Sequence, residues 1–104
     1  MDALVMRNLE AIAALCREHG VKRLELFGSA AREDFDPARS DVDFMVEFYP
    51  YAPSGGFADK YFVLRRALEE LLGRHVDLVE EGCVPNPYVR ASIERTKVPV
   101  YAAA

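Results

Sequence analysis

The segment GSAAREDFDPARSDVDF, residues 28–44, places a Gly-Ser step and an Asp-x-Asp pair on either side of a loop. The letters before it, KRLELF, alternate between polar and apolar residues, which predicts a short strand that ends at Gly28. The letters DVDFMVEF alternate in the same way and predict a second strand. Asp41 and Asp43 then leave the same face of that strand, opposite its apolar side chains.

The rest of the chain alternates helical and extended patterns. The first 19 residues carry apolar residues at spacings of four, three and four, typical of one amphipathic helix. This order predicts an α/β layer in which helices cover one sheet, formed by a single domain over residues 1–104. The predicted helices are 1–19, a short one opening at Ser29, 57–72 and 87–96, and the predicted strands are 22–28, 41–48, 75–81 and 98–101, the last an edge strand because of Pro99.

Composition narrows the classes of function. The net charge of −4 argues against broad binding of nucleic acid, which requires a basic surface. The chain has no apolar run long enough to span a bilayer and no signal-peptide pattern at its start, so we expect a cytoplasmic protein without membrane contact. Two cysteines are too few for a disulfide framework, and Cys16, on the apolar face of the first helix, is expected to be buried.

Three carboxylates carry the strongest chemical signal. Asp41 and Asp43 share one strand face, where like charges repel unless a cation lies between them. Asp77 interrupts the apolar strand HVDLVEE, and it joins the pair if the two strands are neighbours. Such a cluster suits two Mg²⁺ ions, one activating an attacking hydroxyl and one binding a triphosphate, with Asp77 as the candidate to orient or deprotonate the hydroxyl. The alternatives are a capping role or a solvated turn for Asp41, and a salt bridge from Asp77 to Arg74 or another cation.

The Gly-Ser step supplies a candidate phosphate site. Gly28 lets the backbone approach a phosphate without a Cβ in the way. A helix opening at Ser29 would point free N–H groups at the anion, and the Ser29 hydroxyl could add a hydrogen bond. The signal is weak alone and stronger thirteen residues ahead of an Asp-x-Asp strand.

These residues resemble a known family. The stretches LFGSAAR, SDVDFMVEF, LEELLGRHVDLVEEG and NPYVRASIERTKVPVY are similar to the minimal nucleotidyltransferases (MNT) of the DNA polymerase beta-like superfamily. More narrowly, the chain resembles the MNT antitoxins of prokaryotic HEPN–MNT toxin–antitoxin pairs. The resemblance covers nearly the whole chain and implies a mixed β-sheet flanked by helices, with Mg²⁺ and ATP in a cleft.

The resemblance also implies roles for individual residues. Gly28 and Ser29 would hold the triphosphate, Asp41 and Asp43 would ligate both metal ions, and Asp77 would ligate the catalytic one. Arg32 is retained from the family pattern and could neutralise phosphate charge; the alternative is an exposed arginine on a short helix. The implied activity is transfer of AMP from ATP to a tyrosine hydroxyl of the cognate HEPN ribonuclease, which silences that toxin.

One position departs from the family pattern, and it keeps other functions open. The family usually reads Gly-Ser-x-Ala-Arg-Gly, and here the last position is Glu33, which could repel a triphosphate. One alternative is therefore a binding antitoxin that neutralises its partner by contact alone. A nucleotidyltransferase acting on RNA or a small molecule is a further alternative. The tyrosine-rich stretch FYPYAPSGGF, residues 48–57, is either a partner-contacting loop or a plain connector.

Overall fold

The computed structural model describes residues 3–28, 41–50 and 57–103. Within these ranges the chain forms four helices and four strands. The helices are α1 (Ala3–Arg7), α2 (Leu9–Glu18), α3 (Phe57–Leu72) and α4 (Pro87–Thr96), and the strands are β1 (Val21–Phe27), β2 (Val42–Phe48), β3 (Val76–Glu80) and β4 (Val98–Ala102). None of these helices is long and apolar enough to cross a membrane.

The strands form one mixed sheet in the order β3-β2-β1-β4. β1 pairs antiparallel with both β2 and β4, and β2 pairs parallel with β3. The predicted α/β fold is therefore confirmed, and β4 is the edge strand that Pro99 indicated. Because β1 runs against β2 and β3, the end of β1 and the starts of β2 and β3 lie at the same end of the sheet.

The main core lies between one sheet face and helices α1 to α3. Alternate residues of β1, β2 and β3 meet apolar residues spaced three or four apart on the helices, as the sequence pattern predicted. The buried members are Val5, Ile12, Cys16, Val21, Leu24, Leu26, Val42, Phe44, Val46, Leu64, Leu68, Leu72, Val76 and Leu78. Burial raises the pKa of the Cys16 thiol to about 12, so it is a packing residue, as expected.

The prediction of one continuous helix over residues 1–19 is wrong at Asn8. This residue has φ −112° and ψ 14°, and it separates α1 from α2. Its N–H donates to Val5 O at 3.0 Å, a tighter turn than an α-helix makes, and its Nδ2 donates to Leu4 O at 2.8 Å. Asparagine competes with helical hydrogen bonding through such local bonds, and that explains the break.

The second sheet face is covered by α4. Ile93 of α4 packs on Met45 of β2 and on Val84, with Phe27 and Val79 at the margin. Next to this contact Glu25 is only 7% exposed. Its carboxylate pairs with Lys97 Nζ at 3.3 Å, which ties the end of α4 to β1.

The start of α4 depends on one side chain. Asn86 Oδ1 accepts hydrogen bonds from Tyr88 N at 2.9 Å and Val89 N at 3.3 Å, and Pro87 occupies the first turn. Replacing this cap removes the acceptor for two N–H groups, so we expect Asn86→Ala to lower the free energy of unfolding by about 1 kcal/mol. Urea denaturation measures this change. Asn86→Asp keeps the acceptor and is the matched control; an equal loss in both variants would contradict the capping role.

Candidate active site

Asp43 and Asp77 are direct neighbours across two parallel strands. They are register partners in the β2–β3 ladder, and Asp41 lies just before β2 at the same end of the sheet. Asp77 can join the other two carboxylates only if β2 and β3 are adjacent, and the two strands pair directly. Asp77 has no ion pair with Arg74, although both belong to the described part of the chain, so the alternative of a salt bridge between them is not supported.

The environment of Asp43 opposes its negative charge. Partial burial raises the pKa of its carboxyl to about 6, and the charges of Asp77 and Asp41 add to the shift, while His75 opposes it. A carboxyl that is costly to ionise beside two others marks a site that favours a cation. A bound divalent cation would offset the repulsion that the fold leaves in place.

Gly28 is in direct contact with this carboxylate. Its φ is +71°, a conformation that L side chains rarely adopt, and a Cβ built on it would lie 2.5 Å from Asp43 Oδ2. The sequence suggested that a glycine here serves the approach of a phosphate. The structure adds a second reason, because any side chain at this position would displace the carboxylate of Asp43.

His75 borders the site, and it was not among the site residues predicted from the sequence. Its Nδ1 lies 3.4 Å from Asp41 Oδ2, and its backbone O accepts from Val42 N at 3.0 Å. The side chains of His75 and Asp41 are 59% and 57% exposed, so the pair contributes little to stability. The strand alternation that puts His75 and Asp77 on one face was the available signal.

The three carboxylates offer the oxygen ligands that a hard cation prefers, but among the described residues they do not converge on one position. Oxygen ligands suit Mg²⁺, which commonly takes one or two carboxylates together with water and substrate phosphates. Among residues 3–28, 41–50 and 57–103, no three acidic, histidine or cysteine side chains converge as ligands for one ion. Asp43 points an oxygen toward Gly28, and Asp41 points one toward His75. The sequence predicted a three-carboxylate metal cluster; the fold brings its residues to one sheet end without converging them.

Several predicted features lie outside the described residues. The short helix opening at Ser29, with Arg32 and Glu33, falls in the segment 29–40. The roles of Ser29 and Arg32 at the phosphates therefore remain predictions. Most of the tyrosine-rich stretch 48–57 also lies outside, although Tyr49 is described and is 41% exposed.

Comparison with known families identifies the class to which this arrangement belongs. The family model described as "Nucleotidyltransferase domain" matches residues 9–100. That span includes β1, β2, β3 and all three carboxylates. The chain belongs to the nucleotidyltransferase domain family and is a nucleotidyltransferase.

Relatives with curated names support the same assignment. A protein of Methanocaldococcus jannaschii named "Putative protein adenylyltransferase MJ0128" is 37% identical, over 86% of this chain and 94% of that protein. A second protein of the same organism, "Putative protein adenylyltransferase MJ1379", is 39% identical over the same shares. The chain thus matches these relatives over nearly their whole length.

Solved structures show the same fold. A structure described as a "putative minimal nucleotidyltransferase" superposes with a TM-score of 0.69 at 36% identity, covering 95% of this chain and 96% of the other. A toxin–antitoxin complex with AMP-PNP gives a TM-score of 0.68 at 21% identity, covering 92% of this chain and 74% of the other. A complex of a tri-AMPylated HEPN toxin of Shewanella oneidensis with its MNT antitoxin gives 0.63 at 19% identity, over 95% and 73%. The resemblance to minimal nucleotidyltransferases is confirmed.

Proposed function

We propose that this protein is a Mg²⁺-dependent protein adenylyltransferase that transfers AMP from ATP to a tyrosine hydroxyl of a cognate HEPN ribonuclease and so acts as its antitoxin. The observation that carries the proposal is the in-register pair Asp43 and Asp77, with Asp41 beside it and Gly28 against the Asp43 carboxylate. Relatives named "Putative protein adenylyltransferase" support the reaction, and complexes of HEPN toxins with MNT antitoxins share the fold.

The reaction needs three things from the chain. Gly28 and Ser29 would hold the triphosphate, and Arg32 would offset its charge. Asp41, Asp43 and Asp77 would hold Mg²⁺, which when bound lowers the pKa of the attacking hydroxyl and offsets charge on the triphosphate. The hydroxyl oxygen forms a bond to the α-phosphorus, the bond from that phosphorus to the bridging oxygen breaks, and pyrophosphate leaves. Asp77 would orient the hydroxyl and accept its proton.

The acceptor side is expected to come from a partner. The β3–β2 end of the sheet is open to solvent at Asp41 and Asp77, both of which are exposed. We infer that the HEPN toxin presents its tyrosine there and completes the site.

The test is transfer of label from ATP. The full chain is incubated with α-labelled ATP, Mg²⁺ and the HEPN protein that the proposal takes as its partner. We expect label on a toxin tyrosine and a fall of at least about 100-fold for Asp77→Asn, since losing a charge-stabilising group costs this order. Glu70→Gln, an exposed substitution on α3, is the control and should transfer normally. Absence of label, or undiminished transfer by Asp77→Asn, would contradict the proposal.

A second candidate is an antitoxin that neutralises the toxin by contact. Glu33 in place of the family's glycine favours it, because a glutamate near the phosphates would weaken nucleotide binding. The discriminating measurement is protection of cells from the toxin by Asp41→Asn. Full protection supports neutralisation by contact. Loss of protection while the complex still forms supports catalysis.

A further inference from the structure

A small cavity adjoins the carboxylates on the α4 side of the sheet. It has a volume of about 230 Å³ and opens between the end of β1 and the face of α4. No charged side chain is among its described lining residues. These are Phe27, Gly28, Val89, Ser92, Ile93 and Thr96.

The cavity continues a row of residues that crosses the sheet. Asp77 pairs with Asp43 in the β3–β2 ladder, and Asp43 pairs with Phe27 in the β2–β1 ladder. Residues directly opposite one another in a sheet point to the same face. The two carboxylates and the Phe27 ring therefore lie side by side on the face that α4 covers.

Gly28 connects the two regions. It lines the cavity, and the position of its absent Cβ is 2.5 Å from Asp43 Oδ2. A ligand whose charged end lies at the carboxylates and Gly28 can thus reach the cavity with its other end. Ion pairing between Lys97 and Glu25 and packing of Ile93 on Met45 hold α4 over this space.

The lining selects a neutral, flat group. An aromatic ring and aliphatic side chains offer stacking and van der Waals contact. The Ser92 hydroxyl can donate to or accept from a polar edge, and the Thr96 hydroxyl, which donates to Ser92 O at 2.9 Å, can accept from one. A triphosphate would find no cation on the described walls. The volume lies below the 300–1,000 Å³ typical of a pocket that encloses a whole drug-sized ligand, so it suits one ring system.

We propose that this cavity binds the nucleobase of the donor nucleotide, stacked on Phe27 beneath α4. The inference rests on the proposed function in taking a nucleoside triphosphate as donor, and it adds the place where the base lies. Ser92 and Thr96 then act as the residues that contact the base edge. The acceptor tyrosine approaches from the open β3 side.

The test fills the cavity with a larger side chain and measures nucleotide binding in the absence of any toxin. Ser92→Trp places an indole in the space, and Ala91→Trp, the exposed neighbour outside the lining, is the matched control. Titration with a non-hydrolysable ATP analogue and with inorganic triphosphate, both with Mg²⁺, separates base from phosphate. We expect Ser92→Trp to raise the Kd of the analogue at least about tenfold, since stacking carries this order of affinity. The Kd of inorganic triphosphate should stay within about twofold in both variants.

Three outcomes overturn the inference. An unchanged Kd for the analogue in Ser92→Trp would show that the base does not lie in this cavity. An equal loss for analogue and triphosphate would show a distorted phosphate site, and an equal loss in Ala91→Trp would show a general effect of the bulky residue. Val89→Trp, at a position 47% exposed on the cavity rim, repeats the test if Ser92→Trp does not fold. Base-dependent binding without any AMP transfer would leave this inference standing and refute the proposed function.

Discussion

Asp43→Asn is expected to lower AMP transfer by at least about 100-fold and, at the same time, to make the fold more stable. The loss follows from the proposed role of Asp43 as one of the carboxylates that would hold Mg²⁺. The gain follows from removing a charge that the fold disfavours, because burial and the neighbouring charges raise the pKa of Asp43 to about 6. Since Asp43 is only partly buried and solvent screens its charge, we expect a gain on the order of 1 kcal/mol at pH 7.5.

The gain should depend on pH in a defined direction. The folded-state pKa of Asp43, about 6, lies above the ordinary value of 3.8, so the folded protein holds this proton more tightly than the unfolded chain. Below pH 3.8 both forms are protonated and there is no penalty. As the pH rises from 3.8 to 6, ionisation of Asp43 lowers the free energy of unfolding of the wild type, and above pH 6 this loss is complete. Urea denaturation at pH 7.5 should therefore show a larger gain for Asp43→Asn than at pH 4.5.

A control and a metal titration separate the two roles of Asp43. Glu70→Gln, exposed on α3, should change the free energy of unfolding by less than about 0.5 kcal/mol at either pH. Mg²⁺ should raise the Tm of the wild type and have a smaller effect on Asp43→Asn, because a ligand that binds the folded state stabilises it. A destabilised Asp43→Asn, or an equal response to Mg²⁺ in both proteins, would argue against this account.

Gly28→Ala is expected to lower AMP transfer by about 100-fold while lowering the free energy of unfolding by only about 1–2 kcal/mol. The stability loss comes from placing an L side chain at φ +71°. The larger loss of activity comes from the new Cβ, which would lie 2.5 Å from Asp43 Oδ2 and must push that carboxylate aside. The end of the Asp43 side chain can move at a small cost in energy, so we expect the clash to lower activity more than stability.

The chain offers a matched control for this prediction. Gly73 has φ +66°, and an added Cβ there would meet nothing within 4 Å. Gly73→Ala should therefore lose a similar amount of stability and keep the wild-type rate of transfer. Urea denaturation and the labelled-ATP assay on both variants make the comparison. Equal activity in the two variants would refute the assignment of Gly28 to the site.

Much of the fold follows from local patterns. The alternation in β1, β2 and β3 predicted which of their side chains enter the core, because burial on one face imposes this period. Asn86-Pro87 marked the start of α4. The break at Asn8 was missed, because the apolar spacing of Val5, Ile12 and Cys16 continues across it and conceals a change in backbone hydrogen bonding.

By itself the sequence determined which residues carry the chemistry: an Asp-x-Asp pair on a strand, a glycine at a strand end and a third aspartate in an apolar strand. Only the tertiary structure decided that Asp77 stands in register with Asp43, that Gly28 touches the Asp43 carboxylate, and that a cavity with uncharged described walls continues past Phe27. The physical reason is that strand order and register depend on contacts between residues far apart in the chain. Local periodicity says which face a side chain occupies, and packing of the whole chain selects its neighbours.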